Sequence, residues 1–527
     1  MPIRHLIGWM LGVLTGASPI FAQYLPEASF GAGGYWVGGA DTVTLAVDAV
    51  GAGADSLLVL AETGPVSATE IDRDVLVMKW AADGTPDTDF GTAGELRFDF
   101  DSMAYSTAIA LFADADGSFL VLGSGRTENN ASQTWGCLER ISRRGERRDL
   151  VLGKKSLHFA WIGLAEYPNV IQRDAAGRYL IAGSSFDPNG NHPQPVIMRL
   201  TPDFRVDTTF GETGILLFDF GAIQSLRETG EVHFSGGFVR DLIVLTDGTI
   251  AFCGGLSNGD HYVGFIAGVR PDGTLNPDFC PPLGYRALDL LGEYDTRIRA
   301  VRVLPDGTLV FGATTSSANP VRNLIAGRLN PQNGSLTHES IDLGVETELE
   351  RLEYLADGSL ALLGTTVGQG NSHLVLTQIP DPSRLEIHHS EAFSPNPDRS
   401  VTGTFLREHG SRLLFGGYTE TPTLRIEAVV AVASPAPTAA TPASAEQHWT
   451  VYPNPTAGTL HWQSALPFAA PTQYEVRDLS GRLVRQGSLS LGKAQIDLHG
   501  LPAALYLLRL SDGKYFSTVR VQKLAGD

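Results

Sequence analysis

Gly117-Ser118-Phe119-Leu120-Val121-Leu122-Gly123 decides the fold, because the chain keeps returning to its pattern. A turn residue, often Gly, a polar residue and three or four apolar residues closing on Gly or Ala recur at 55–61, 177–183, 248–254, 307–313, 358–364 and 410–416. Successive starts lie from 51 residues apart (307 to 358) to 71 apart (177 to 248). Asp-Gly between apolar runs signals a tight hairpin, since Gly accepts the positive φ that such turns require. Seven hairpins at a fairly steady interval predict a repeat architecture built from β-sheets.

A second landmark falls between the hairpins. Asp87-Thr88-Asp89-Phe90-Gly91-Thr92-Ala93-Gly94 returns as Asp207-Thr208-Thr209-Phe210-Gly211-Glu212-Thr213-Gly214. It is shorter at Ser29-Phe30-Gly31-Ala32-Gly33 and altered at Asn276-Pro277-Asp278-Phe279-Cys280. The Phe reads as a plug between neighbouring sheets, and the glycines permit the bend. Together with Asp83-Gly84 and Asp272-Gly273 these residues resemble the delta-60 repeats. That resemblance implies a β-propeller-like domain; its motifs mark architecture and identify no activity.

Each repeat reads as four strands. One follows the Phe-Gly turn (95–100), one leads into the hairpin (107–111), the hairpin's return run is the third, and a fourth resembles 75–80 or 196–200. Four strands and seven repeats predict an all-β chain whose main part, 23–433, is a seven-bladed β-propeller. The competing reading, a β-solenoid or sandwich array, calls for shorter or more uniform repeats. Strands that alternate in direction put the Asp-Gly hairpins and Phe-Gly turns on one face. The variable connections 62–72, 124–134, 184–193, 221–237, 256–261 and 314–321 fall on the other. Loops free to vary carry binding. Asp187, Asn189, His192, Glu228 and His233 on those loops are the candidate ligand residues.

Composition agrees. Among 527 residues are 59 Gly and 30 Pro, with 18% charged and 43% hydrophobic residues. The net charge is −19; residues 448–527 hold eight Lys+Arg and five Asp+Glu (+3), so the remainder carries −22. That balance excludes nucleic acid as a partner, because phosphate binding needs a basic stripe. The basic cluster Arg140, Arg143, Arg144, Arg147 and Arg148 reads as a solvated turn. Cys137, Cys253 and Cys280 are too few for a disulfide framework, although a Cys253–Cys280 bridge is compatible with an oxidising compartment.

Motifs that carry chemistry are absent or misplaced. Asp114-Ala115-Asp116-Gly117 lacks the later oxygen ligands of a calcium loop and coincides with a repeat turn. Gly255-Leu256-Ser257-Asn258-Gly259 matches a nucleophile elbow, but a strand-like run follows where that motif needs a helix. No spacing matches a metal-ligand set, so the sequence assigns no catalytic residue, metal or cofactor.

The two ends give an address. Arg4 and His5 precede an apolar run over 6–14 and small residues up to Ala22, the pattern of a signal peptide over 1–22. No later segment offers the roughly 18 uninterrupted apolar residues of a membrane helix, so the mature chain should lack a transmembrane segment. Residues 434–447, SPAPTAATPASAEQ, read as an extended spacer. The remaining residues, 448–527, read as a small antiparallel β-sandwich.

Tyr452-Pro453-Asn454-Pro455, Asp478-Leu479-Ser480-Gly481, Leu501 and Tyr506 resemble the type A C-terminal sorting domain of the type IX secretion system. The resemblance implies export by that machinery in a Bacteroidota-type bacterium, and a secreted or outer-surface location. The expected function is binding of a polysaccharide or protein through the variable-loop face. The alternative is a glycan-active lyase or hydrolase with its site at the pore, which as a hydrolase would need two convergent carboxylates.

Overall fold

The computed structural model describes residues 24–524 apart from 33, 39–42, 54, 66–72, 129, 152, 164, 187–192, 219–235, 258–260, 289, 291–294, 317–321, 342, 344, 368–370, 387–388, 397, 422–424, 436–448, 453–455, 465–471, 479–481, 490–494 and 512–515. The expected signal peptide and nearly all of the expected spacer lie outside the described residues.

The chain is all-β, and strands before residue 436 fall into successive antiparallel groups, the second and third joined by one parallel pairing of Ala165 with Thr134. The first is Val43–Gly51, Ser56–Gly64, Asp74–Ala81 and Glu95–Phe98. The second is Tyr105–Ala113, Phe119–Thr127 and Asn130–Ile141, edged by the short strands Arg147–Arg148 and Ser156–Phe159. The third is Ala165–Arg173, Tyr179–Phe186, Pro193–Leu200 and Ile215–Leu217. The fourth is Gly236–Val244, Ile250–Ser257, Tyr262–Val269 and Tyr285–Leu288. The fifth is Thr296–Val303, Leu309–Ser316, Arg322–Leu329 and Leu336–Ile341. The sixth is Thr347–Tyr354, Leu360–Thr366, Leu374–Ile379 and His389–Phe393. The seventh is Val401–His409, Arg412–Glu420 and Ile426–Pro435, completed by the N-terminal strands Tyr24–Pro26 and Tyr35–Gly38.

The repeated apolar runs form the second strand of every group. Leu120, Val121 and Leu122 are fully buried, as are Leu180 and Ile181 or Val310 and Phe311. A strand covered on both faces reads as a continuous apolar run rather than an alternating one. First strands of consecutive groups pack on each other in order, and Val401–His409 packs on Val43–Gly51. The first strands therefore stand around a common axis in a β-propeller-like arrangement.

The Phe-Gly turn works as a staple. Phe30, Phe90 and Phe210 are at most 1% exposed and Phe279 is 3% exposed. Phe90 shares a core with Leu58 of the first group and Val121 of the second, and Phe210 lies between the third and fourth. The following backbone N–H donates to the next group, as from Gly31 to the Asp83 carbonyl (2.9 Å), Gly91 to Arg144 (2.8 Å) and Gly211 to Asp272 (2.8 Å). Gly91 has φ +54°, and a Cβ there would lie 2.1 Å from the Glu95 carbonyl oxygen. Cys280 takes this position in the altered copy, at φ +46°.

Several expectations need correction. The strand after the Phe-Gly turn closes the preceding group instead of opening the next, since Phe98 pairs with Val75. The connection 124–134 is also mostly strand, because Phe119–Thr127 and Asn130–Ile141 extend into it. The expected linker start is displaced as well, since Ser434 and Pro435 end a strand paired with Leu25 and Tyr24. The three thiols are free and buried, so Cys253 and Cys280 form no disulfide although they share one core.

Beyond the spacer, Trp449–Tyr452, Thr459–Ser464 and Gln495–Asp497 form one sheet. Leu483–Leu489, Thr472–Asp478, Ala504–Ser511 and Phe516–Lys523 form another. Leu460, Ile496 and Leu498 join Val476, Tyr506, Leu508 and Val521 in a single core cluster.

Candidate functional site

Every first strand carries one β-bulge, at 46/48, 108/110, 168/170, 239/241, 298/300, 349/351 and 403/405. A bulge leaves one residue outside the ladder and re-aims the side chains beside it. The extra residues are Val47, Ile109, Asn169, Arg240, Arg299, Glu350 and Thr404. They form a tier around the axis that is apolar in the first two groups and charged in the fourth, fifth and sixth.

Deeper along the axis, toward the Asp-Gly hairpins, ion pairs run from group to group. Arg407 donates to Asp48 (3.1 Å) and to Glu353 (3.1 Å); Arg302 donates to Glu353 (3.0 Å) and to Asp241 (2.6 Å). Asp48 also accepts the N–H groups of Ala49 and Leu111, both at 3.0 Å. Asp241 accepts those of Leu242 (2.9 Å) and Val301 (3.1 Å). Burial works to raise the Glu353 carboxyl, but its two guanidinium partners outweigh that and hold it below the ordinary range. Arg351 lies within electrostatic reach of Asp48, Asp241 and Arg407, on three different groups, which puts its charge near the axis.

At the opposite end, where the first strands begin, polar and aromatic groups mix. Asn169 Nδ2 donates to the Val239 carbonyl (2.7 Å), and Arg240 Nη1 donates to Asn169 Oδ1 (3.3 Å). Arg299 pairs with Glu348, and Glu350 Oε1 accepts the Thr365 hydroxyl (3.1 Å). Tyr167 is 44% exposed and meets Phe186 edge-on at 5.8 Å. Phe238 meets Tyr262 at 5.6 Å; Arg240 lies over Phe238 at 5.6 Å and Arg297 over Tyr262 at 4.5 Å. Arg240 is solvent-exposed yet ringed by protein. Burial, with Arg299 and Arg351 nearby, pushes its guanidinium down to about 10. Burial raises the Glu350 carboxyl.

Asp48, Asp241 and Glu353 spend their oxygens on guanidinium and backbone donors. Among the described residues no His/Cys/Asp/Glu group could hold a metal ion. The loop residues Asp187, Asn189, His192, Glu228 and His233 all lie outside the described residues, as do Pro453, Asn454, Pro455 and Gly481 of the sorting motif. The remaining sorting residues are strand-borne or half-buried: Tyr506 is 3% exposed and its hydroxyl donates to the Pro502 carbonyl (2.9 Å). Asp478 closes its strand opposite Tyr506, and Tyr452 pairs with His461. Leu501 packs against the tail core.

Other motifs resolve as structure. Asp114 accepts the Tyr179 hydroxyl (2.6 Å), and Asp116 accepts the Ser118 N–H (2.9 Å), so that run is a turn. After Ser257 the next described element is again a strand, Tyr262–Val269. Arg147 departs from the expected solvated turn: it bridges Asp101 and the buried Glu139, both at 2.8 Å. The axial charges escaped the sequence reading because Arg-Ile-Arg-Ala-Val-Arg (297–302) and Glu-Leu-Glu-Arg-Leu-Glu (348–353) look like ordinary half-solvated strands.

Residues 450–524 match the family model described as a secretion system C-terminal sorting domain. No curated protein matches the chain. Among solved structures, the polysaccharide lyase Uly1 is similar at 10% identity and a TM-score of 0.43, over 72% of this chain and 88% of that one. The Trypanosoma rangeli sialidase is similar at 11% and 0.34 over 82% and 87%. An endo-arabinase from Bacteroides thetaiotaomicron gives 12% and 0.30 over 52% and 93%. Likeness this distant carries no argument about activity. Among the described residues no helix is long and apolar enough to cross a membrane. The C-terminal residues are a type IX sorting domain, and the chain is a secreted or outer cell-surface protein.

Proposed function

We propose that residues 23–433 are a seven-bladed propeller of delta-60-like repeats that serves as a secreted binding module, with the tail a detachable sandwich used for export. Its ligand is a polysaccharide or protein. The site is the mouth of the axial channel, on the face where first strands begin. The observation that carries this reading is the combination at that mouth: an exposed Tyr167 and a half-buried Phe238 beneath the Arg240 guanidinium, above carboxylates already neutralised by arginine. Aromatic faces next to a few convergent polar groups are the usual make-up of a recognition site. The candidate loop residues Asp187, Asn189, His192, Glu228 and His233 remain the proposed ligand residues of the variable loops.

The test is a glycan array combined with a hydrolysis and lyase screen, run on the full mature chain and on a Tyr167→Ala, Phe238→Ala variant. Binding without turnover, lost in the variant, supports the proposal. Turnover that disappears on Glu350→Gln would overturn it in favour of an enzyme.

A further inference from the structure

The channel mouth carries charge of the wrong sign for the molecule around it. Residues 1–447 have a net charge of −22, from −19 for the chain less +3 for 448–527. Yet Arg240, Arg297 and Arg299 converge from two adjacent groups, with Arg351 deeper on a third; Arg240 feels all of them, and Asp48, Asp241 and Glu350 lie within electrostatic reach of Arg351. Arg299 is neutralised by Glu348, and Arg297 pairs with Asp295 at 3.1 Å. Among the described residues neither Arg240 nor Arg351 has a carboxylate within 4.0 Å. Their described hydrogen bonds go to neutral acceptors, Asn169 Oδ1 at 3.3 Å and the Glu350 carbonyl at 2.8 Å.

The Nε atoms of Arg297 and Arg299 are buried, with no hydrogen-bond partner among the described residues. Glu350 also lies within electrostatic reach of Arg240, and its Oε1 accepts the Thr365 hydroxyl. Like charges gathered where protein excludes most water repel more strongly than in bulk solvent, and buried donors left unmade are costly. An oxyanion of one charge entering the mouth relieves the repulsion, and a guanidinium fork matches a carboxylate in a bidentate way. The surrounding wall adds a second requirement. Tyr167 is exposed at the rim, and Phe238 lies half-buried beneath Arg240. A sugar ring bearing a carboxylate meets both demands, because its C–H face stacks on aromatic rings while the acid reaches the arginines.

We propose that Arg240, with Arg351 behind it, receives the carboxylate of an acidic sugar, a uronate, whose ring face lies on Tyr167. This rests on the channel-mouth reading above and narrows it to a chemical class.

The experiment measures binding of glucuronate, its short oligomers and glucose to the full mature chain by calorimetry at low and high salt. Glucuronate should bind at least tenfold more tightly than glucose and weaken as salt rises. Arg240→Gln should cost at least tenfold for glucuronate, and Arg240→Lys should recover part of the loss. Thermal stability supplies an independent readout: Arg240→Gln removes an unpaired cation, so the unfolding midpoint should hold or rise. A marked fall in the midpoint would make Arg240 a structural brace and overturn the inference. Equal binding of glucose and glucuronate would also overturn it while leaving the binding-module reading intact. Failure of every saccharide, with Tyr167→Ala neutral on the glycan array, would sink both.

Discussion

Glu353 is the keystone of the axial ion-pair chain, and its replacement by Gln tests how the ring is braced. The carboxylate receives Arg302 through two hydrogen bonds (3.0 and 3.2 Å) and Arg407 through one (3.1 Å). Gln keeps the shape but loses the charge and turns an N–H₂ toward one guanidinium. Removing one partner of a buried ion pair costs about 3–5 kcal/mol. Here Arg302 keeps Asp241 and Arg407 keeps Asp48, so the lower end, about 3 kcal/mol, is expected. With an unfolding entropy near 2.1 cal/mol/K per residue over about 400 residues, that loss lowers the midpoint by roughly 4 °C. Calorimetry of the mature chain reads it directly. The pH dependence fixes the mechanism. The Glu353 carboxyl is depressed in the folded state, so its stabilisation is complete above the unfolded value of about 4.3 and disappears as pH falls through the folded value. The gap between wild type and Glu353→Gln should therefore close on acidification below pH ~4. A midpoint shift under about 1 °C at pH 7, or a gap that persists unchanged at pH 3, would refute the bracing argument.

Three further outcomes follow from the geometry. Gly91→Ala places a Cβ 2.1 Å from a carbonyl oxygen at φ +54°, whereas Gly307→Ala at φ +82° meets nothing within 4 Å. The first should lose more than about 3 kcal/mol and the second about 1 kcal/mol in urea unfolding, and equal losses would count against the staple. Burial raises all three thiols, Cys280 to about 11 and Cys137 and Cys253 further, so iodoacetamide at pH 8 should label none in the native chain and three in urea. Intact mass reads this, and rapid native labelling of any one contradicts the packing. Deleting 450–524 should strand the passenger inside the cell envelope; unchanged appearance at the surface or in the medium, by fractionation and immunoblot, would disprove the tail's role.

The architecture was legible wherever local chemistry and burial agree. The runs Leu120–Leu122 and Val310–Phe311 had to be doubly covered strands because nothing polar interrupts them. The Phe-Gly motif announced its plug because Gly91 and Gly211 tolerate a backbone that a side chain would block. Grouping failed at Glu95–Phe98, because one strand can pair with the strand before it or open a new sheet, and only the ladder to Val75 decides. The terminal strand Tyr24–Pro26 was equally silent, since its partner Ile426–Pro435 lies some four hundred residues away.

The sequence by itself determined the strand repeats, the plugging turns and the export tail, because each is written in a short window of residues with its own local physics. Only the tertiary structure decided the axial site. Arg240, Asp241, Arg302, Glu353 and Arg407 come from four separate strands, and one bulge per strand turns them toward a shared axis. Read singly, each looks like a solvated strand residue; charge becomes a brace or a binding surface only when closure of the sheets removes most of the surrounding water.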